Sequence, residues 1–174
     1  ERLPRFSGEQ LDLVVDYPCA PAGRFLANSK EFIGWNILFL GEYEAGTNRI
    51  LERFVRPGHT VVEAGANNGS ETLLLGKLVQ PGGLVFAFEP VPEWHARLAE
   101  NVRLNAFAHV TLVAAALSDR EGEMEMFTSD DSRAEASFNE GLSSLQRSGS
   151  RHVPGGRVPV RRLECDFLSP SRIG

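Results

Sequence analysis

Between Thr60 and Ser118 the chain alternates between two hydrophobic periods, and this alternation restricts its fold more than any other feature. "TVVEAG" is a continuous apolar run and reads as a buried strand. "SETLLLGKLVQ" reads as a helix apolar on one face and is stopped by Pro81-Gly82-Gly83. "LVFAFEP" reads as a second strand. "PEWHARLAENVRLNA" reads as a second helix, with Pro92 suited to its first turn. "VTLVAAALS" reads as a third strand. Continuously apolar strands linked by one-faced helices imply a parallel sheet covered by helices. Residues 60–118 therefore predict a β-α-β-α-β unit, a mononucleotide-binding half of a doubly wound sheet.

The flanks are less regular. Residues 1–31 contain Pro4, Gly8, Pro18, Pro21 and Gly23, and read as an irregular arm with one short strand at Leu11 to Val15. The domain proper is placed at 32–174. Ile50, Leu51, Phe54 and Val55 share one face of a helix that Thr47 would cap and "RPGH" would end. "EGEMEMFTS" alternates with period two and predicts an edge or hairpin strand. Residues 128–156 are rich in Ser, Gly and charge, which predicts a long, mobile surface loop. "RVPVRRLECDFL" reads as a further short strand. Few residues after 118 resemble additional βα units, so the second half of the sheet is expected to be incomplete.

Bulk properties limit the functions open to such a domain. The 174 residues suffice for one domain with a core. The net charge of -5 and pI near 5.4 argue against a general nucleic-acid binder. Apolar stretches such as Ile37 to Leu40 are too short to span a bilayer, and "ERLPRFSGEQ" has no signal-peptide pattern. Cys19 and Cys165 indicate neither a disulfide framework nor a zinc site, and no metal ligand set is read. A cytoplasmic setting is the expectation, with homo-oligomerisation open.

The chemistry concentrates at "VVEAGANNGSET" (61–72). A strand-to-helix corner exposes backbone N–H groups and the positive end of a helix dipole. Gly65 and Gly69 would let a ligand approach the backbone closely; alternatively they serve only a tight turn. The dinucleotide fingerprint G-x-G-x-x-G is broken by Asn67, and no G-K-[S/T] step follows Gly69, so a pyrophosphate ligand is disfavoured. Glu63 ends the first strand and Glu89 ends the second, where a carboxylate can accept hydrogen bonds from a ribose diol. Acids in both places suit S-adenosyl-L-methionine, which has a ribose, a sulfonium and an ammonium but no phosphate. A nicotinamide-dependent oxidoreductase is the less favoured reading.

These segments, with the lead-in "GEYEAGTNRILERFVRPGHTVVEAGAN" and the later "GLSSL" and "VRRLECDFL", closely resemble the FkbM family of S-adenosylmethionine-dependent methyltransferases over roughly residues 30–168. The resemblance implies a Rossmann-like class I methyltransferase fold. It also implies O-methylation of a hydroxyl on a sugar or natural product, with no nucleic-acid or membrane partner. Carried over by position, Glu63, Gly65, Ala66, Asn67 and Gly69 would surround the methionine half of the cofactor. Glu89 would hold the ribose, with Pro90 beside it, Ala116 and Leu117 would border the adenine, and Glu44 would lie nearby. The family's "IDVEG"-like strand does not follow "RLECDFL", so the chain is expected to be truncated at its C-terminus. A module that binds the cofactor without turnover is the alternative. No catalytic residue is identified: His59, His95 and His109 are placed away from the ligand edge, and His152 and the acids Asp130, Asp131 and Glu135 in the loop. Trp35 and Trp94 are read as packing residues.

Overall fold

The computed structural model describes residues 10–17, 23–129, 145 and 152–163. A parallel three-stranded sheet forms its centre, built from β3 (Thr60–Ala64), β4 (Leu84–Phe88) and β5 (Val110–Val113) in that spatial order. The connecting helices are α3 (Ser70–Leu78) and α4 (Pro92–Leu104), with Pro92 in the first turn of α4 as the sequence predicts. The in-register pairing sets Glu63 beside Ala87 and Ala64 beside Phe88, so both strands end at the same level.

β4 shows why this sheet has to be covered on both sides. Val85 and Ala87 point to one face and pack with Leu75, Val79, Leu98, Val102 and Val110. Phe86 and Phe88 point to the other and pack with Val62, Val113, Leu117 and Leu163. Period-two side chains that are apolar on both faces leave no solvated side. At about 25 cal/mol per Å² of apolar surface, burial of such side chains is the main force holding the layers together.

The described part of the N-terminal arm, residues 10–17 and 23–31, contains more regular structure than its composition suggests. β1 (Asp12–Asp16) and β2 (Arg24–Asn28) pair as an antiparallel hairpin. The helix α1 (Phe32–Leu40) lies against β2, and Tyr17, Phe25, Ala27, Ile33, Ile37 and Leu73 form a second core cluster. Gly34 makes this contact: a β-carbon there would overlap the backbone of Asn28. Three residues spaced one helical turn apart, Arg97 and Asn101 on α4 and Asn105 at its C-cap, anchor the hairpin. Arg97 bridges Asp12 (3.0 Å) and Glu31 (2.8 Å). Asn101 Oδ1 accepts from the Leu26 N–H (2.7 Å). Asn105 both accepts from the Arg24 N–H and donates to the Arg24 carbonyl, each at 2.7 Å.

Several local expectations change. The helix α2 (Ala45–Phe54) starts earlier than Thr47; its N-cap is Glu44, and the Thr47 hydroxyl instead donates to the Glu44 carboxylate (2.9 Å). Of its predicted apolar face, Leu51 and Val55 pack on the core whereas Ile50 and Phe54 are exposed. The predicted third strand breaks after Val113, where the Ala115 N–H turns back to the Val113 carbonyl (2.9 Å). The chain then enters β6 (Ala116–Leu117), which belongs to a second sheet with β7 (Gly122–Ser129) and β8 (His152–Arg161) in the order β6-β8-β7. The period-two segment is thus an edge strand, as predicted. β8 begins within the segment expected to be loop and runs through Pro154, Gly155 and Gly156, with a pairing irregularity opposite Met126 and Phe127. The rest of that loop, both cysteines, Asp130, Asp131, Glu135 and the His152 side chain lie outside the described residues.

Candidate functional site

The C-terminal ends of β3 and β4 open onto a cavity of about 590 Å³. It collects residues from across the chain. Gly65, Asn67 and Glu71 come from the β3–α3 corner, and Glu63 from β3 itself. Glu89 and Pro90 come from the end of β4, Ala116 and Leu117 from β6, and Tyr43, Glu44 and Thr47 from the start of α2. Of the residues expected at the site, only Ala66 and Gly69 are not on its wall. Ala66 is part of the loop, but its side chain is buried in the core. Gly69 caps α3 with φ 93°, and a β-carbon there would come within 2.8 Å of Leu98 Cδ1. Its glycine is required by backbone conformation and by helix packing against α4.

The loop itself is wired differently from a phosphate cradle. The Gly65 and Ala66 N–H groups both donate to the Phe88 carbonyl at 2.9 Å. The Asn67 N–H donates to Glu89 Oε2 (2.8 Å), the Asn68 N–H to Asn67 Oδ1 (2.6 Å) and the Gly69 N–H to the Ala66 carbonyl (2.9 Å). Every backbone donor from 65 to 69 is therefore engaged within the protein. Within residues 65–69 the amides are thus not free for a ligand: the Phe88 carbonyl, the Glu89 carboxylate, Asn67 Oδ1 and the Ala66 carbonyl take them up. Positive φ at Gly65 (78°) and Asn67 (50°) gives the loop the curvature this wiring needs.

Glu89 is 4% exposed, and its second oxygen accepts from the Val91 N–H (2.8 Å) at the start of α4. It braces the loop against α4, and each oxygen keeps a further lone pair for a ligand hydroxyl. Burial raises its pKa, and the two backbone donors pull in the opposite direction. Glu63 accepts from the Thr72 hydroxyl (2.6 Å). Its pKa is raised to about 8, chiefly by burial, with the charges of Glu71 and Glu89 adding to the rise against the Thr72 hydrogen bond. The pKa of Glu71 is raised by burial and by the charge of Glu44, against a hydrogen bond from the Ser70 hydroxyl. Glu44 itself holds a left-handed backbone (φ 48°, ψ 51°). Four glutamates thus face one cavity whose described lining includes no Lys, Arg or His.

The sequence reading did not single out Glu71, Tyr43, Trp94 or Met126 as site residues, although all line the cavity. Trp94 is also buried, so its packing role stands alongside its place on the wall. Trp35 stacks on Phe39 with ring centroids 5.0 Å apart. His59, His95 and His109 are all off the cavity wall; His109 bonds the Gly76 carbonyl through Nε2 (2.6 Å). No cluster of metal-binding side chains occurs among the described residues, and none of their helices is long and apolar enough to cross a membrane.

Comparison with known proteins places this geometry. The methyltransferase FkbM domain matches residues 63–173. A protein-L-isoaspartate O-methyltransferase from Aeropyrum pernix is 38% identical over 58 residues, covering 33% of this chain and 22% of that protein. The chain thus spans about a fifth of that relative's length. Among solved structures, a Clostridium thermocellum protein assigned as an rRNA methylase shares 30% identity over 43% of this chain and 41% of its own, with a TM-score of 0.40. Aeropyrum pernix fibrillarin, with natively bound S-adenosyl-L-methionine, shares 16% identity over 35% of this chain and 26% of its own, with a TM-score of 0.33. With the family domain matched over more than half its length and a βαβ sheet ending in an acidic cavity, the chain belongs to the FkbM methyltransferase domain family of class I S-adenosyl-L-methionine-dependent methyltransferases.

Proposed function

We propose that the cavity seats S-adenosyl-L-methionine and that the protein transfers its methyl group to a hydroxyl of a sugar or natural product. One observation carries the cofactor placement: four glutamates line the cavity, no cationic side chain is among its described lining, and the loop's backbone donors are all engaged. Such a surface offers a phosphate neither a cationic side chain nor a free loop amide, while a cation entering it draws the glutamates into their charged forms. In this reading Glu63 and Glu71 face the positive methionine half, with Gly65 and Asn67 beside it. Glu89 accepts from the ribose hydroxyls, and Pro90, Ala116 and Leu117 border the adenine. A cation beside Glu63 and Glu71 favours their ionised forms, which burial alone disfavours.

When bound, the cofactor supplies a methyl carbon activated by a sulfonium leaving group. The protein's contribution is to hold the acceptor oxygen in line with that carbon and to exclude water. The 58-residue match to the isoaspartate methyltransferase covers a third of this chain, and the acceptor class is read from the family alone.

Calorimetry with S-adenosylhomocysteine, S-adenosylmethionine and NAD tests the cofactor assignment. Both sulfur ligands are expected to bind and NAD not to. Glu63→Gln and Glu89→Gln are each expected to weaken binding at least about tenfold, as loss of a charged hydrogen-bond partner does. Absence of binding by both sulfur ligands would sink the proposal. A methyl-release assay across neutral sugars then tests the acceptor class. Binding without turnover on any hydroxyl acceptor would leave only the cofactor-binding module.

A further inference from the structure

The loop from Gly65 to Gly69 is held from two sides. On the cavity side Glu89 accepts from the Asn67 N–H. On the opposite side Asn101, which is completely buried, donates from Nδ2 to the Asn68 carbonyl at 2.7 Å. The same side chain accepts from the Leu26 N–H of β2 through Oδ1, also at 2.7 Å. One partner is a carbonyl and the other an N–H, so only one orientation of the amide satisfies both. The neighbours one turn away bond elsewhere: Arg97 to Asp12 and Glu31, and Asn105 to Arg24 and the Asn101 carbonyl.

We propose that Asn101 is a positioning residue for the cofactor loop, and that the N-terminal hairpin holds its amide in register. The proposal rests on the reading of this loop as the cofactor seat. The physical case is that Asn67 sits in a left-handed conformation between two anchored neighbours. Its own N–H is fixed by Glu89 and the next carbonyl by Asn101. Release of the second anchor lets the peptide between them rotate, and that rotation moves Asn67 on the cavity wall. The buried amide contributes through geometry rather than through contact with the ligand. The hairpin, remote from the chemistry, thereby enters the binding free energy.

Asn101→Asp is the discriminating change. It keeps the size and the acceptor for Leu26 but sets an oxygen against the Asn68 carbonyl. Asn105→Asp is its control: it alters the hairpin tie and the bond to the Asn101 carbonyl but leaves the Asn101 amide and its two bonds in place. Affinity for S-adenosylhomocysteine is measured by calorimetry well below each variant's melting temperature. Asn101→Asp is expected to weaken binding at least about tenfold and Asn105→Asp less than about twofold. Equal affinity in wild type and Asn101→Asp, or equal losses in the two variants, would overturn the proposal. Failure of the wild type to bind would instead count against the cofactor reading. Should Asn101→Asp not fold, Asn101→Ala with deuterium exchange serves in its place. Faster exchange of the Asn67 and Asn68 amides than in wild type is expected, and unchanged exchange would overturn the proposal.

Discussion

Glu63 concentrates the electrostatic tension of the site. Its pKa near 8 means that the folded protein holds a proton there which the unfolded chain, at about 4.5, releases. Between those values the folded state binds more protons, so this group's contribution to stability falls as pH rises through the folded pKa. The raised values at Glu71 and Glu89 act in the same direction. Without ligand, the melting temperature is expected to fall between about pH 5.5 and pH 8.5. Glu63→Gln should remove about 1–3 kcal/mol of that dependence, allowing for screening by water in the cavity. A pH profile unchanged by the substitution would contradict the raised pKa of Glu63. Asn68 offers a second test. Its side chain is 1% exposed and neither polar atom has a partner among the described residues. A buried amide without partners costs about 1–3 kcal/mol. Asn68→Val is therefore expected to raise the urea midpoint, by about 1 kcal/mol of unfolding free energy.

At the scale of elements, Gly34 decides whether α1 can touch β2. A methyl group there meets the Asn28 backbone, which cannot yield as a flexible side chain can. Gly34→Ala should cost about 2–3 kcal/mol by overpacking, measurable by denaturant unfolding. The elements also differ in how plainly the sequence announces them. β3, α3, β4 and α4 were legible because apolar runs of strand and helix length alternate between recognisable stops, although α3 is buried nearly all round rather than on one face. The α1 segment "FIGWNILFL" is apolar nearly all round, so no face stands out, and its helix went unread. The break between β5 and β6 hides in alanines, which carry no pattern. The first half of β8, residues 152–156, was read as loop because Pro154 and two glycines suggest one, whereas a β-bulge accommodates the irregularity; the half from Arg157 was read as strand. Glu63, Gly65, Asn67, Glu89 and Pro90 were legible because strand ends have fixed places at the mouth of a parallel sheet. Glu71 was not, since an acid in a helix's first turn is equally explained by the dipole. Tyr43 and Met126 reach the cavity only through tertiary folding.

Across the whole molecule, the acidic cavity predicts which ligands stabilise the fold. S-adenosylhomocysteine at a hundred times its dissociation constant should raise unfolding free energy by about 2.7 kcal/mol. NAD at the same concentration should leave the melting curve unmoved, and a comparable shift with NAD would refute the electrostatic argument. The amides of Asn101 and Asn105 have a further consequence, away from any ligand. They occupy the outward N–H groups of Leu26 and Arg24 and the Arg24 carbonyl, on the side of β2 that β1 leaves open. An uncovered strand border is a template on which another polypeptide can add. Two asparagines one turn apart on a helix stand in here for the missing neighbouring strand, so the hairpin that steadies the loop is also kept from recruiting its own kind.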